Sequence, residues 1–192
     1  MGTEHDMKPS AEQRLWMYET MWVIRNFEDT LALAYFEGKL PPKIQPKLAF
    51  DLGAGPIPGE MHLAAGQEAA AAGACAHLRR EDSVWGTHRA HHFAIAKGVD
   101  LNRMAAEIFG KVTGLGRGKG GHMHLFDTTV NFACSGIVGA GIPQAVGAAL
   151  PAGSSPISGP LSPRRHPTCR LAYRSCWYAG VMMARHTSAT RL

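Results

Sequence analysis

The stretch EIFGKVTGLGRGKGGHMHLFDTTVNFACSGIVGAGIP, residues 107–143, decides how the rest of the chain is read. It holds two glycine-rich loops. In the first, GLGRGKGG at 114–121 interleaves glycines with Arg117 and Lys119, and His122 and His124 follow. Glycine permits positive φ and leaves no Cβ in the way, so such a loop can turn backbone amides and cations towards an anion. In the second, SGIVGAGIP at 135–143, glycines flank Ile137 and Val138 and Pro143 comes next, a residue suited to opening a helix. That pattern presents backbone to a flat ligand; the plainer alternative is a tight strand-to-helix turn.

Upstream, Ser10 and Gln13 have the spacing of a capping box. Leu15, Met21, Trp22, Ile24, Phe27, Leu31 and Ala34 then keep a helical apolar period, which predicts a helix over 11–37. Prolines at 41, 42, 46, 56 and 58 predict a long loop over 39–59. The alanine-rich run after Gly66 predicts a helix, with Arg79 and Arg80 near its carboxyl end, where cations are favoured. Residues 83–87, SVWGT, read as a short strand that delivers HRAHH at 88–92 to its end. Asp100 is placed to cap a further helix with Leu101, Met104, Ala105 and Ile108 on one face.

At 192 residues with 45% hydrophobic content the chain suits one domain with a sizeable core. The net charge of +5 is unevenly spread. Through Leu150 acids outnumber Lys and Arg by one, and the six arginines after it supply the whole excess. They lie in a Pro- and Ser-rich end and not on an aromatic-interleaved face, which argues against nucleic acid as a partner. The four cysteines show neither CxxC spacing nor a secreted disulfide pattern, and no run is apolar and long enough to span a membrane. A reduced, cytoplasmic protein with no membrane role is expected.

Taken with GEMHLAAGQEA at 59–69, THRAH at 87–91 and AEIFGK at 106–111, the glycine loops resemble the alpha subunits of thiamine-diphosphate-dependent 2-oxo acid dehydrogenases, acetoin dehydrogenase alpha subunits above all. The resemblance implies an α/β chain carrying part of a thiamine-diphosphate-binding fold, a parallel sheet flanked by helices. Arg89 would then pair with the cofactor diphosphate, and His88 would contact it where most relatives have tyrosine. The backbone of Gly136 and Val138 would bond the aminopyrimidine, with Ile137 and Val138 giving the ring apolar contact. His62 would stand at the mouth of the substrate site and donate to an oxo group, while His122 replaces a serine found in many relatives. The implied partners are a beta subunit, a lipoyl-bearing acyltransferase and a small oxo substrate, either acetoin or a 2-oxo acid. Magnesium belongs to the intact family site.

The resemblance ends near Leu150. PAGSSPISGPLSPRRHP at 151–167 holds five prolines and no acid, and neither Asp nor Asn occurs after Leu150 to supply the GDG segment and later asparagine that hold the cation. The division expected is therefore 1–150 as the amino-terminal part of the cofactor-binding domain, incomplete at its carboxyl end. Residues 151–192 form a tail that is disordered or in a non-native frame, and the chain alone should be inactive. The competing reading is a non-catalytic truncated product or interaction remnant. A third gathers His88, His91, His92, His122 and His124 as a zinc site, with His122 and His124 on one strand face, but there is no HExxH and no paired-cysteine spacing.

Overall fold

The computed structural model describes residues 8–39, 51–152 and 182–184. Helix α1, Ala11–Phe36, starts at the expected capping box: Ser10 Oγ accepts from Gln13 N at 3.1 Å and Gln13 Oε1 accepts from Ser10 N at 3.0 Å. Its buried face is Thr20, Ile24, Glu28, Leu31 and Tyr35. This corrects the apolar face read from the sequence, since Leu15 and Trp22 are exposed while Thr20 and Glu28 point inward. Beyond the helix, the buried Lys39 ammonium donates to the carbonyls of Ala54 and Ile57, and Tyr35 Oη donates to Gly59 O at 3.0 Å. These bonds fix residues 51–59, which form no helix or strand. The first half of the predicted loop lies outside the described residues.

Helix α2, Glu68–Cys75, packs on α1 and stops before Arg79 and Arg80, so neither arginine lies in its last turn. Strand β1, Ser83–Gly86, is followed by α3, His91–Lys97, and α4, Leu101–Ile108. Asp100 Oδ1 caps α4 by accepting from Arg103 N at 2.8 Å, as expected. Short strands β2, Phe126–Asp127, and β3, Phe132–Cys134, come next, then α5, Gly141–Ala152, and β4, Met182–Ala184. Helix α5 carries Pro143 at its third position and runs two residues past Leu150.

The sheet order is β2-β3-β1-β4. Strands β1 and β3 are parallel, with Gly86 opposite Cys134, while β2 and β4 are antiparallel to their neighbours. The α/β class is thus observed, but the sheet is mixed, with one parallel pair where a parallel sheet was expected. The core gathers Ile24 and Leu31 of α1, Val84 of β1, Phe93 of α3, Met104 of α4, Phe132 of β3, and Leu125 just before β2. Most of the tail expectation for 151–192 falls outside the described residues.

Candidate functional site

Two parallel neighbours ending side by side bring the HRAHH run and the second glycine-rich loop together. At the carboxyl edge of β1 and β3, Ser135 N donates to Gly86 O at 3.2 Å. Residues 87–90 therefore leave the sheet beside residues 135–140, the place where open α/β sheets receive ligands. Gly86 is needed here: a Cβ would collide with the Ala90 side chain and lie 3.3 Å from Cys134 Cβ. Arg89 is exposed at this edge and has no ion-pair partner among the described residues. Ile137 and Val138 are 68% and 81% exposed, so an apolar shelf is left open beside it.

The segment carrying His122 and His124 is tied to β3. Cys134 N donates to Leu125 O at 2.9 Å, Leu125 N approaches Cys134 Sγ at 3.2 Å, and that thiol donates to Met123 O at 3.2 Å. A Cβ on Gly136 would lie 3.2 Å from His124 Nε2 and 3.3 Å from Met123 Sδ, so the glycine lets His124 lie against the second loop. His122 is buried and His124 exposed, and neither belongs to a strand, so the shared strand face does not exist.

His62 joins this edge from the loop before α2. Its Nδ1 lies 2.9 Å from His122 Nε2, their rings stack at 5.2 Å, and His88 meets His62 edge-on at 4.8 Å. Burial, together with the neighbouring His91, His62, His124 and His88, pushes the His122 imidazole down to about 4. Burial followed by His62 and Arg89 lowers His88 as well. The His122 and His88 rings at this edge are thus biased towards their neutral forms. Among the described residues no three His, Cys, Asp or Glu side chains converge as metal ligands, against the zinc reading.

Beneath the cluster lies a pair that sequence reasoning passed over. Glu28 and His91 are fully buried, with Glu28 Oε1 2.9 Å from His91 Nδ1. Glu28 Oε2 accepts from Ala64 N at 2.9 Å, and His91 Nε2 donates to His122 O at 3.1 Å. A carbonyl can only accept, so His91 Nε2 carries a hydrogen. The bond between His91 Nδ1 and the carboxylate needs another hydrogen, borne by the ring or by the carboxyl. The pair thereby joins α1, the His62 loop, α3 and the His122 segment. The signal was a glutamate on the inner face of α1, hidden because an apolar period gives it no place.

The first glycine loop does receive an anion, but one from the chain itself. Glu107 on α4 is fully buried; Oε2 accepts from Gly116 N at 2.6 Å and Gly118 N at 2.9 Å, and Oε1 from Gly120 N at 2.6 Å. Burial alone would raise this carboxyl, yet the amides of Gly118, Gly120, Gly116 and Gly121 outweigh it and hold it below the usual carboxylate value. Arg117, at φ 60°, and Lys119 are exposed outside this ring of amides. The expectation that the loop grips an external anion is therefore corrected. Two cavities of about 300 and 380 Å³ lie elsewhere, and neither is lined by His62, His88, Arg89 or residues 136–138.

Among known proteins, the alpha subunit of the acetoin:2,6-dichlorophenolindophenol oxidoreductase of Bacillus subtilis is 46% identical over 144 residues, 74% of this chain and 38% of that protein. The Cupriavidus necator subunit of the same name is 42% identical over 142 residues, covering 73% and 38%. A chloroplastic pyruvate dehydrogenase E1 component subunit alpha-3 of Arabidopsis thaliana is 40% identical over 142 residues, covering 73% and 29%. The chain thus spans less than two fifths of the length of these relatives. A sequence model of the family described as Dehydrogenase E1 component matches residues 43–155, more than half of the chain, and the chain belongs to that family.

Proposed function

We propose that this chain contributes the alpha-subunit half of a thiamine-diphosphate site, in a dehydrogenase that cleaves acetoin or decarboxylates a 2-oxo acid and passes the acyl unit to lipoyl groups. The observation that carries the reading is the side-by-side exit of residues 87–90 and 135–140 from adjacent parallel strands. One loop offers an unpaired guanidinium to a diphosphate, and the other offers glycine backbone and an open apolar shelf to a planar ring.

In this arrangement Arg89 forks onto diphosphate oxygens and His88, kept neutral by its surroundings, offers a ring nitrogen beside it. Gly136 and Val138 bond the aminopyrimidine through backbone, and Ile137 and Val138 exclude water from its face. When bound, thiamine diphosphate supplies the nucleophilic carbon that adds to the oxo carbon. His62 stands within reach of the substrate and donates to its oxo oxygen. Among the described residues no three His, Cys, Asp or Glu side chains converge as ligands for magnesium. A beta subunit supplies the carboxylate that contacts the pyrimidine, and a lipoyl-bearing acyltransferase receives the product. A cytoplasmic setting suits this reading, and among the described residues no helix is long and apolar enough to cross a membrane.

Calorimetric titration with thiamine diphosphate and magnesium, with and without a co-expressed beta subunit, tests the proposal. Binding in the co-expressed assembly, with no turnover of an artificial electron acceptor by the chain alone, is expected. Failure to bind even beside the beta subunit would favour the non-catalytic product instead.

A further inference from the structure

His62 has two ring nitrogens, and the structure commits one of them. Nδ1 is engaged by His122 Nε2 at 2.9 Å, while Nε2 has no hydrogen-bond partner among the described residues. The His122 ring is buried, and its segment is anchored twice: its own carbonyl accepts from His91 Nε2 at 3.1 Å, and the Met123 carbonyl accepts from the Cys134 thiol. His62 is anchored from the other side, since Ala64 N donates to the same Glu28 carboxylate that holds His91. Both rings are thus placed by one buried pair. A bond between two neutral imidazoles holds a single hydrogen between them, so the tautomers of the two rings are coupled: when His122 Nε2 is the donor, His62 Nδ1 is bare and its hydrogen sits on Nε2.

We propose that His122 is a positioning residue: its Nε2 donates to His62 Nδ1, so that His62 meets an oxo ligand with a hydrogen on Nε2. The direction of that bond rests on the thiamine-diphosphate reading, in which His62 donates to an oxo oxygen. The groups facing the pair are the His88 ring on one side, the Glu28 and His91 pair beneath, and His124 and Arg89 at the open edge. None of them is hydrogen-bonded to His62, so among the described residues His122 alone is bonded to its ring.

The test is nitrogen NMR on the whole chain labelled with ¹⁵N-histidine, without cofactor, at neutral pH. His62 should show a protonated Nε2 and a bare Nδ1, with N–N coupling across the bond to His122; a protonated Nδ1 would overturn the proposal. His122→Gln, whose terminal amide reaches the position of the imidazole Nε2, should keep His62 in one tautomer. His122→Asn, too short to reach, and His122→Leu should lose the coupling and give averaged signals from both tautomers. Averaged signals in the unsubstituted chain, or a single tautomer persisting in His122→Asn, would overturn the proposal. Should His122→Leu fail to fold, the unsubstituted spectrum and the Gln and Asn pair still decide it. Because no cofactor is present, loss of cofactor binding in the co-expressed assembly would leave this result standing, and the reverse also holds.

Discussion

Glu28 and His91, 63 residues apart in sequence, meet at 2.9 Å with no solvent exposure on either side chain. Removing either partner strands the other in the core together with the Ala64 amide or the His122 carbonyl. Glu28→Leu and His91→Leu should each destabilise the fold by about 3–5 kcal/mol, the usual cost of breaking a buried pair from one side. Glu28→Gln should cost clearly less: its amide can accept from Ala64 N and donate to His91 Nδ1, leaving every bond satisfied without charge. Urea unfolding of the three variants measures this, and equal losses for Gln and Leu would show that the charge itself is required.

The carboxylate of Glu107 replaces an external ligand in the first glycine loop, so the loop's order should depend on it. Glu107→Ala removes the acceptor for three part-buried hydrogen bonds and should cost on the order of 3 kcal/mol. Amide exchange at Gly116, Gly118 and Gly120 should accelerate in that variant before exchange in α1 does. Because the folded carboxyl is held below its ordinary value of 4.5, its contribution is complete above that value. It is lost as pH falls through the lower folded value. Stability in Glu107→Ala should therefore fall less steeply with acid than in the unsubstituted chain.

His92 is fully buried, and neither ring nitrogen finds a partner among the described residues. Burial pushes it down to about 4, as it does His122. Unfolding exposes both rings to protonation near 6.5, so the unfolded chain binds more protons between about 6.5 and 4. Stability is then full above 6.5 and declines as pH falls through this window. His92→Leu should flatten part of that decline and be neutral or stabilising at neutral pH by about 1 kcal/mol, since it removes an unsatisfied polar ring. Thermal melts across the window would show it; a loss at neutral pH would mean that the ring has a partner.

How far the sequence carried these conclusions depended on how local the signal was. The capping box of Ser10 and Gln13, the Asp100 cap and the strand at 83–86 each follow from a few neighbouring residues, and each is present. Glu28 and Glu107 were missed because a buried carboxylate is justified only by partners distant in the chain, here the Ala64 amide and the loop at 116–120. The same holds for the sheet. Phe126 and Asp127 are too short a run to be read as a strand, and the antiparallel pairing of Met182–Ala184 on β1 crosses about a hundred residues. His62, His88 and residues 136–138 were brought forward by resemblance, and what the structure adds is their shared edge and the imidazole contacts among them.

Arg89 and Arg117 were both within reach of an anion on sequence alone, and the fold separates them. Arg89 stands unpaired where β1 and β3 end, whereas Arg117 lies on a loop whose amides Glu107 already occupies. In an assembly that binds thiamine diphosphate, Arg89→Ala should cost on the order of 1.5–3 kcal/mol of binding, roughly tenfold to a hundredfold in Kd. Arg117→Ala should change Kd by less than about threefold, because an exposed cation off the site acts only through a screened field. Titration calorimetry at two ionic strengths separates the cases: the small Arg117 effect should fade with added salt, while the loss at Arg89 should persist. Equal, salt-resistant losses would mean that the first glycine loop closes on the diphosphate when the cofactor binds. An unchanged affinity in Arg89→Ala would remove the residue on which the placement of the diphosphate depends.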